Sequence, residues 1–208
     1  GVTISDGEVR LGHAGALNST TPNSVVFASN ANSKVLSLNG NSLTISGLTT
    51  GATIGTSVVQ NNHASTATTL TVNNSVSNTY GGILRDGSTA ALALVKTGAG
   101  ALTLSGANTY TGKTTVSGGM LQFAPRTSLY NGNTADWTAA NITAASGTTL
   151  AMNVGGTGQF TTTDVNTLLA NVSVAGSATT GLQAGATIGF DTTNATGGPF
   201  TQDTPIAD

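Results

Sequence analysis

The chain has 208 residues, eight acidic and six Lys or Arg side chains, and a formal net charge of −2; Thr, Gly, Ser and Asn make up half of it. It has no basic block for a nucleic-acid backbone, no run of about 20 apolar residues for a membrane-spanning helix, and no cysteine for thiol catalysis, Cys-ligated zinc or a disulfide framework. Charge is scarce at 7% but apolar residues reach 38%, the reverse of the disordered signature. β-Branched Thr, Val and Ile suit a pleated surface, and Gly and Asn supply turns. The composition therefore reads as all-β with many turns.

In chain order, short alternating runs predict strands at Thr3–Ser5, Glu8–Leu11, Ser24–Ala28, Val35–Leu38, Leu43–Ser46, Ser57–Gln60, Thr69–Val72 and Ile83–Leu84. The pattern continues at Ala91–Val95, Ala101–Leu104, Thr114–Ser117, Met120–Phe123, Asn141–Thr143, Thr149–Asn153, Val172–Ala175 and Thr187–Phe190. Leu70 with Val72, and Leu102 with Leu104, put one face inward and a Thr/Ser/Asn face outward. One stretch breaks this period. Val165, Leu168, Leu169 and Val172 stand at i, i+3, i+4 and i+7, predicting one short helix near 162–171, with Thr162 or Thr163 as N-cap and Asp164 in its first turn. The C-terminal NATGGPFTQDTPIAD reads as extended and poorly anchored.

The chain also repeats itself. Thr3–Leu17 lies without a gap on Thr115–Leu129: Thr3/Thr115, Ser5/Ser117, Gly7/Gly119 and Leu17/Leu129 are identical, and Ile4/Val116, Val9/Leu121 and Leu11/Phe123 stay apolar. Shorter echoes join NSLTISG, TTLTVNN and GALTLSG, and GATIG occurs twice. Many short strands fit a sandwich, a propeller or a solenoid. Weak self-similarity with variable insertions favours a parallel β-helix, with coils of about 20 to 25 residues, eight or nine in all, forming a rod on the order of 40 Å.

From Leu94 to Phe123, LVKTGAGALTLSGANTYTGKTTVSGGMLQF resembles the autotransporter-associated β-strand repeat, also called the passenger-associated transport repeat. The positions that carry the resemblance are Lys96, Gly98, Gly100, Leu102, Leu104, Gly106, Asn108, Thr109, Tyr110, Thr111, Gly112, Thr114, Val116, Gly119 and Leu121. It implies a right-handed parallel β-helix in an exported bacterial protein, at the cell surface or extracellular, with a structural role as stalk, adhesin passenger or fibre unit. Residues 1–208 are then expected to form a single β-helix segment of a longer array: a close repeat at 94–123, a partial copy at 3–17 and a less regular part at 127–208. Within the motif, Gly98, Gly100, Gly106 and Gly112 are expected at corners, and Leu102, Leu104, Val116 and Leu121 inside. Asn108 should sit in a turn, bonding backbone groups or stacking on a neighbouring Asn, and Tyr110 should be packed with a wet hydroxyl.

Candidate chemistry is sparse. His63 has no carboxylate or His company, and Asp6 with Glu8 reads as a solvated pair rather than a glycosidase dyad. Gly155–Asp164 is similar to the calcium nonapeptide but has Phe160 where Asp is needed. Gly98–Thr103 lacks the third glycine of a phosphate loop, and Arg85 with Asp86 reads as a surface pair. No catalytic, cofactor or metal site is expected. Tyr130 and Trp137 are the candidates for glycan stacking, giving a glycan or host-surface binding module as the alternative function and a β-helix carbohydrate-active enzyme as a third. The expected partners are neighbouring repeats or further copies of the chain through end-to-end β stacking, since neither end shows a charged or helical cap; surface glycans are the alternative partner.

Overall fold

The computed structural model describes residues 1–17, 20–173, 179–196 and 199–202. Its strands in chain order are β1 (Val2–Ile4), β2 (Gly7–Arg10), β3 (Ser24–Phe27), β4 (Ser33–Ser37), β5 (Leu43–Ile45), β6 (Gly47–Thr50), β7 (Thr56–Gln60), β8 (Thr68–Asn73) and β9 (Asn78–Tyr80). There follow β10 (Ile83–Arg85), β11 (Leu92–Thr97), β12 (Ala101–Leu104), β13 (Thr114–Val116), β14 (Met120–Phe123), β15 (Ile142–Ala144), β16 (Thr149–Asn153), α1 (Thr162–Val172), β17 (Gly181–Leu182) and β18 (Thr187–Asp191). Three 3-10 turns lie between β14 and β15, at Arg126–Ser128, Tyr130–Gly132 and Thr134–Asp136.

Among the described residues every strand pairing is parallel, and the chain visits three sides in turn. The first side stacks β1-β3-β6 and then β9-β12-β14-β16-β18, the second β2-β4-β7-β10, and the third β5-β8-β11-β13-β15-β17. On the first side the junction between β6 and β9 is made by a side chain: the Leu48 amide donates to Asn78 Oδ1 at 3.3 Å. This is a parallel β-solenoid of about six turns with one short helix. In-register stacking puts like positions in columns. Leu43, Leu70 and Leu94 line up on the third side and Leu102, Leu121, Leu150 and Ile188 on the first. The inward columns form one continuous apolar core, while Thr44, Thr71 and Thr115 occupy the outward column of the third side.

The count of turns falls below the expected eight or nine because coil length varies widely. Val2 already meets its partner at Val25 and Leu102 at Leu121, whereas Leu150 does not meet its partner until Ile188. This last coil is the longest of the three, and it contains α1. After β10 the second side carries no further strand among the described residues: it is filled by an isolated Arg85/Thr109 bridge, by the 3-10 turns and by α1.

Nearly every predicted strand has an observed counterpart; the exception is Val172–Ala175, whose first residue ends α1 and whose last two lie outside the described residues. β6, β9 and β17 are not legible in the sequence because each starts on Gly or Asn, residues that read as turn signals. The helix is capped by Thr161 rather than by Thr162 or Thr163. The Thr161 side chain accepts from the Asp164 amide, and the Asp164 carboxylate accepts from the Thr161 amide and hydroxyl, a reciprocal capping box. Of the C-terminal stretch, residues 197–198 and 203–208 lie outside the described residues, while Phe200 and Thr201 are anchored. Phe200 stacks on Phe190 with ring centres 5.6 Å apart, and the Thr162 hydroxyl donates to the Thr201 carbonyl at 2.8 Å. Helix α1 thus lies on the second side of the last turn, with Val165, Leu168, Leu169 and Val172 packed into the core.

Candidate functional site

Residues 94–123 form a tight part of the rod: Leu94 pairs with Thr114 and Leu102 with Leu121, so the chain returns quickly to the same side. A coil this short has no room for a strand on the second side. Asn108 replaces it. Its Oδ1 accepts the Leu84 amide of the turn before at 2.9 Å, and its Nδ2 donates to the Ser128 carbonyl of the turn after at 2.7 Å. The side chain is fully buried and acts as a rung between three turns. Of the two roles expected for Asn108 it takes backbone bonding, not stacking on another Asn. Asn61 repeats the device outside the motif: its Oδ1 accepts the Gly40 amide at 3.1 Å and its Nδ2 reaches the Ala90 carbonyl at 3.0 Å. The neighbouring Thr109 and Tyr110 amides both donate to the Leu84 carbonyl, at 2.9 and 3.2 Å, and the Thr111 hydroxyl donates to Asp86 Oδ2 at 2.8 Å.

Leu102, Leu104, Val116 and Leu121 are all fully buried inside the coil. So is Lys96, an inward residue that the sequence reading misses. The signal is present: Leu92, Leu94 and Lys96 share one parity on β11, whose burial alternates strictly. The Lys96 ammonium turns back at the corner and donates to the carbonyls of Thr97, Gly98 (2.9 Å) and, in the next turn, Gly118 (3.2 Å). Burial pushes its pKa down to about 8. Lys34 is held in the same way, by the carbonyls of Ala28 and Asn30 at 2.9 and 2.8 Å.

The motif glycines divide into two kinds. Gly98 takes the left-handed corner conformation at φ +73°, as does Gly119 at +61°. Gly100, Gly106 and Gly112 are instead points of close approach to the turn before; a Cβ on Gly106 would collide with the Gly82 carbonyl. Lack of space, rather than the turning of a corner, is what requires glycine at these three.

Tyr110 lies within the core, and its hydroxyl is dry, not wet. It shares a hydrogen bond of 2.7 Å with the Thr114 hydroxyl, which donates to the Tyr130 hydroxyl at 3.0 Å; that in turn faces the carbonyls of Gly112 and Asn141. The two rings stand 5.0 Å apart. Burial raises both phenols, Tyr130 to about 12.

Tyr130 and Trp137 offer no surface to a sugar. Trp137 is 0% exposed and Tyr130 3%. The indole N–H is spent on the Leu129 carbonyl at 3.2 Å, Phe160 packs on one flank with centres 5.6 Å apart, and the Arg126 guanidinium covers the ring at 5.3 Å. The expected glycan platform is therefore withdrawn: both aromatics are consumed by the core. Arg126 also pairs with Asp164 at 2.7 Å, tying the 3-10 turns to α1. Burial alone would raise the Asp164 carboxyl, but hydrogen bonds from Arg126 and Thr161 outweigh it and hold the pKa below the ordinary value.

The remaining candidates do not converge. Among the described residues no three His, Cys, Asp or Glu side chains come together. The Nδ1 atoms of His13 and His63 accept turn amides, from Gly15 at 3.1 Å and from Thr66 at 2.9 Å. Asp6 sits at the corner before β2 rather than on one strand with Glu8, and its carboxylate accepts the Gly7 amide. Arg85 and Asp86 do not pair; Arg85 donates to Gln60 Oε1 and Asp86 holds Thr111 and the Leu92 amide. Phe160, at the point where a calcium ligand would stand, is buried. No helix among the described residues is long and apolar enough to cross a membrane.

The offset echo acquires a definite meaning in three dimensions. It superposes β1, the Gly7 corner and β2 on β13, the Gly119 corner and β14, with φ of +70° and +61° at the two glycines. The repeated unit is a strand–corner–strand element, used once on the first and second sides and once on the third and first.

In comparisons with known proteins, residues 94–123 match the family model of the passenger-associated-transport-repeat. No curated protein and no solved structure gives a match.

Proposed function

We propose that the chain is one structural, non-catalytic β-helix segment of an exported bacterial surface protein, a stalk or adhesin passenger. The observation that carries this reading is the match of residues 94–123 to a passenger repeat, and that same stretch builds a coil whose polar side chains are spent on neighbouring turns. Lys96, Asn108 and Tyr110 all bond protein groups inside the rod. Asp6, Asp86, Asp164 and Asp191 serve caps, corners and turns. A rod with a sparsely charged, Thr-rich exterior suits display at a distance from the cell. Protease shaving of intact cells that express the parent gene tests this reading: release of peptides from residues 1–208 is expected, and protection until the envelope is broken would overturn it.

A further inference from the structure

The chain holds two Asn-Gly dipeptides, Asn39-Gly40 and Asn131-Gly132, and both take a left-handed turn. The φ angles are +50° and +80° at the first pair and +51° and +72° at the second. The second turn is longer by one residue, because Tyr130 is left-handed too, at φ +48°. Asn bears this conformation at low cost; a bulky residue such as Tyr does not. Burial holds Tyr130 in place: its hydroxyl lies among Thr114, Gly112 and Asn141, and its ring lies against Tyr110.

The two turns are guarded unequally. Asn39 is half-buried, and its Nδ2 donates to the Leu11 carbonyl at 3.3 Å. The Gly40 amide donates to Oδ1 of the fully buried Asn61 at 3.1 Å, and the His63 ring lies against the glycine. Asn61 is itself fixed to the Ala90 carbonyl at 3.0 Å. Asn131, in contrast, is exposed, and among the described residues its carboxamide makes no hydrogen bond. The Gly132 amide is held by one local turn bond, to the Leu129 carbonyl at 2.9 Å.

A carboxamide followed by an unhindered backbone nitrogen is a reactive pair. When the turn opens, the Gly132 nitrogen gives up its proton to base and attacks Asn131 Cγ. The new N–C bond closes a cyclic imide, and the side-chain nitrogen leaves as ammonia. Water then opens the imide at either carbonyl. One opening leaves aspartate; the other leaves isoaspartate, with the main chain rerouted through the former side chain. Glycine favours the closure because it sets no Cβ against the ring. We propose that Asn131 is a site of spontaneous deamidation in the folded chain, and that Asn61 protects Asn39 from the same reaction.

The product adds one negative charge beside Gly132, on which the Arg126 guanidinium packs, in a chain of formal net charge −2. Isoaspartate also lengthens the main chain within the turn that seats Tyr130. The reaction is independent of export and display.

Incubation of the purified chain in mildly alkaline buffer, followed by ion exchange and peptide mapping that separates aspartate from isoaspartate, tests the assignment. An acidic fraction carrying both isomers at 131 is expected. It should accumulate about tenfold or more faster than any change at 39, the order of the factor set by one additional buried hydrogen bond. In urea the two dipeptides should react at comparable rates, which assigns the difference to the fold. Asn131→Gly keeps the left-handed turn and should abolish the acidic fraction. Equal rates at 39 and 131 in the folded chain would overturn the proposal. So would an Asn131 that stays intact in the folded chain while the unfolded chain converts fully. Aspartate without isoaspartate would overturn the imide route, and a tenfold preference that persists in urea would overturn the protection assigned to Asn61.

Discussion

The Leu84 amide and the Ser128 carbonyl, in turns on either side of Asn108, are joined through its one carboxamide, at 2.9 and 2.7 Å. This connection substitutes for the missing strand on the second side and lets the motif coil close early. Removing it strands two buried backbone groups, each costing about 1–3 kcal/mol when unsatisfied. Asn108→Ala should destabilise the chain by about 2–4 kcal/mol in urea unfolding. Asn108→Asp should be no better, because a carboxylate oxygen would face the Ser128 carbonyl.

Gly106→Ala tests the close packing of turns. The added methyl meets the Gly82 backbone carbonyl, which belongs to the coil itself and cannot rotate away. Overpacking of this kind costs about 1–3 kcal/mol or more, and a midpoint shift of that size is expected in thermal unfolding. Gly147→Ala, where a Cβ meets nothing, should cost less and only through its backbone at φ +75°.

The strands, the parallel solenoid and the one helix are legible because alternation survives even in very short strands, and because the motif at 94–123 is nearly complete. The turn count is not, since nothing local distinguishes the short coil from Leu102 to Leu121 from the long one from Leu150 to Ile188. Lys96 misleads because a charged residue is assigned outside by default, although its parity on β11 points inward. Trp137 reads as a surface feature for the opposite reason: its flanks, LYNGNTAD, are polar, while the residues that bury it, Phe160 and Arg126, are distant or preceding in sequence. The echo at 3–17 is legible as a repeat but not as a change of side.

All three tyrosines of the chain are buried with phenols raised above the ordinary value, Tyr80 and Tyr110 well above it and Tyr130 to about 12. A raised phenol contributes stability that is complete below the unfolded pKa of about 10 and is lost as pH rises through the folded value. In ultraviolet titration no phenolate should form in the folded chain near pH 10, and ionisation should coincide with loss of the β-sheet circular dichroism signal. A phenolate signal at pH 10 with the fold intact would show that one ring reaches solvent.

Lys96 shifts in the other sense. Its folded pKa of about 8 lies below the ordinary 10.5, so between these values the unfolded chain binds more protons and stability rises with pH. Unfolding midpoints should increase from pH 8 toward pH 10, and Lys96→Met should flatten that slope. A slope unchanged in the variant would assign it to other groups.

Acid should loosen the region around α1. The Asp164 carboxyl is held low by Arg126 and Thr161, so its contribution is present above the ordinary carboxylate range and is lost as pH falls through the lowered value. Asp164→Ala removes both the cap and the ion pair and is expected to cost about 1–3 kcal/mol. Hydrogen exchange should speed up first in residues 162–172.

Residues 94–123 close one short coil of a parallel stack, bringing Leu94 beside Thr114 and Leu102 beside Leu121. Thr103 and Gln122 are side by side on β12 and β14, with Oγ1 and Oε1 3.3 Å apart on the outer face. In the double variant Thr103→Cys, Gln122→Cys, mild oxidation should close an intramolecular disulfide and leave the circular dichroism spectrum unchanged. A folded protein in which this pair stays reduced, while Thr103→Cys, Met120→Cys closes instead, would contradict the coil length and the register on which the account rests.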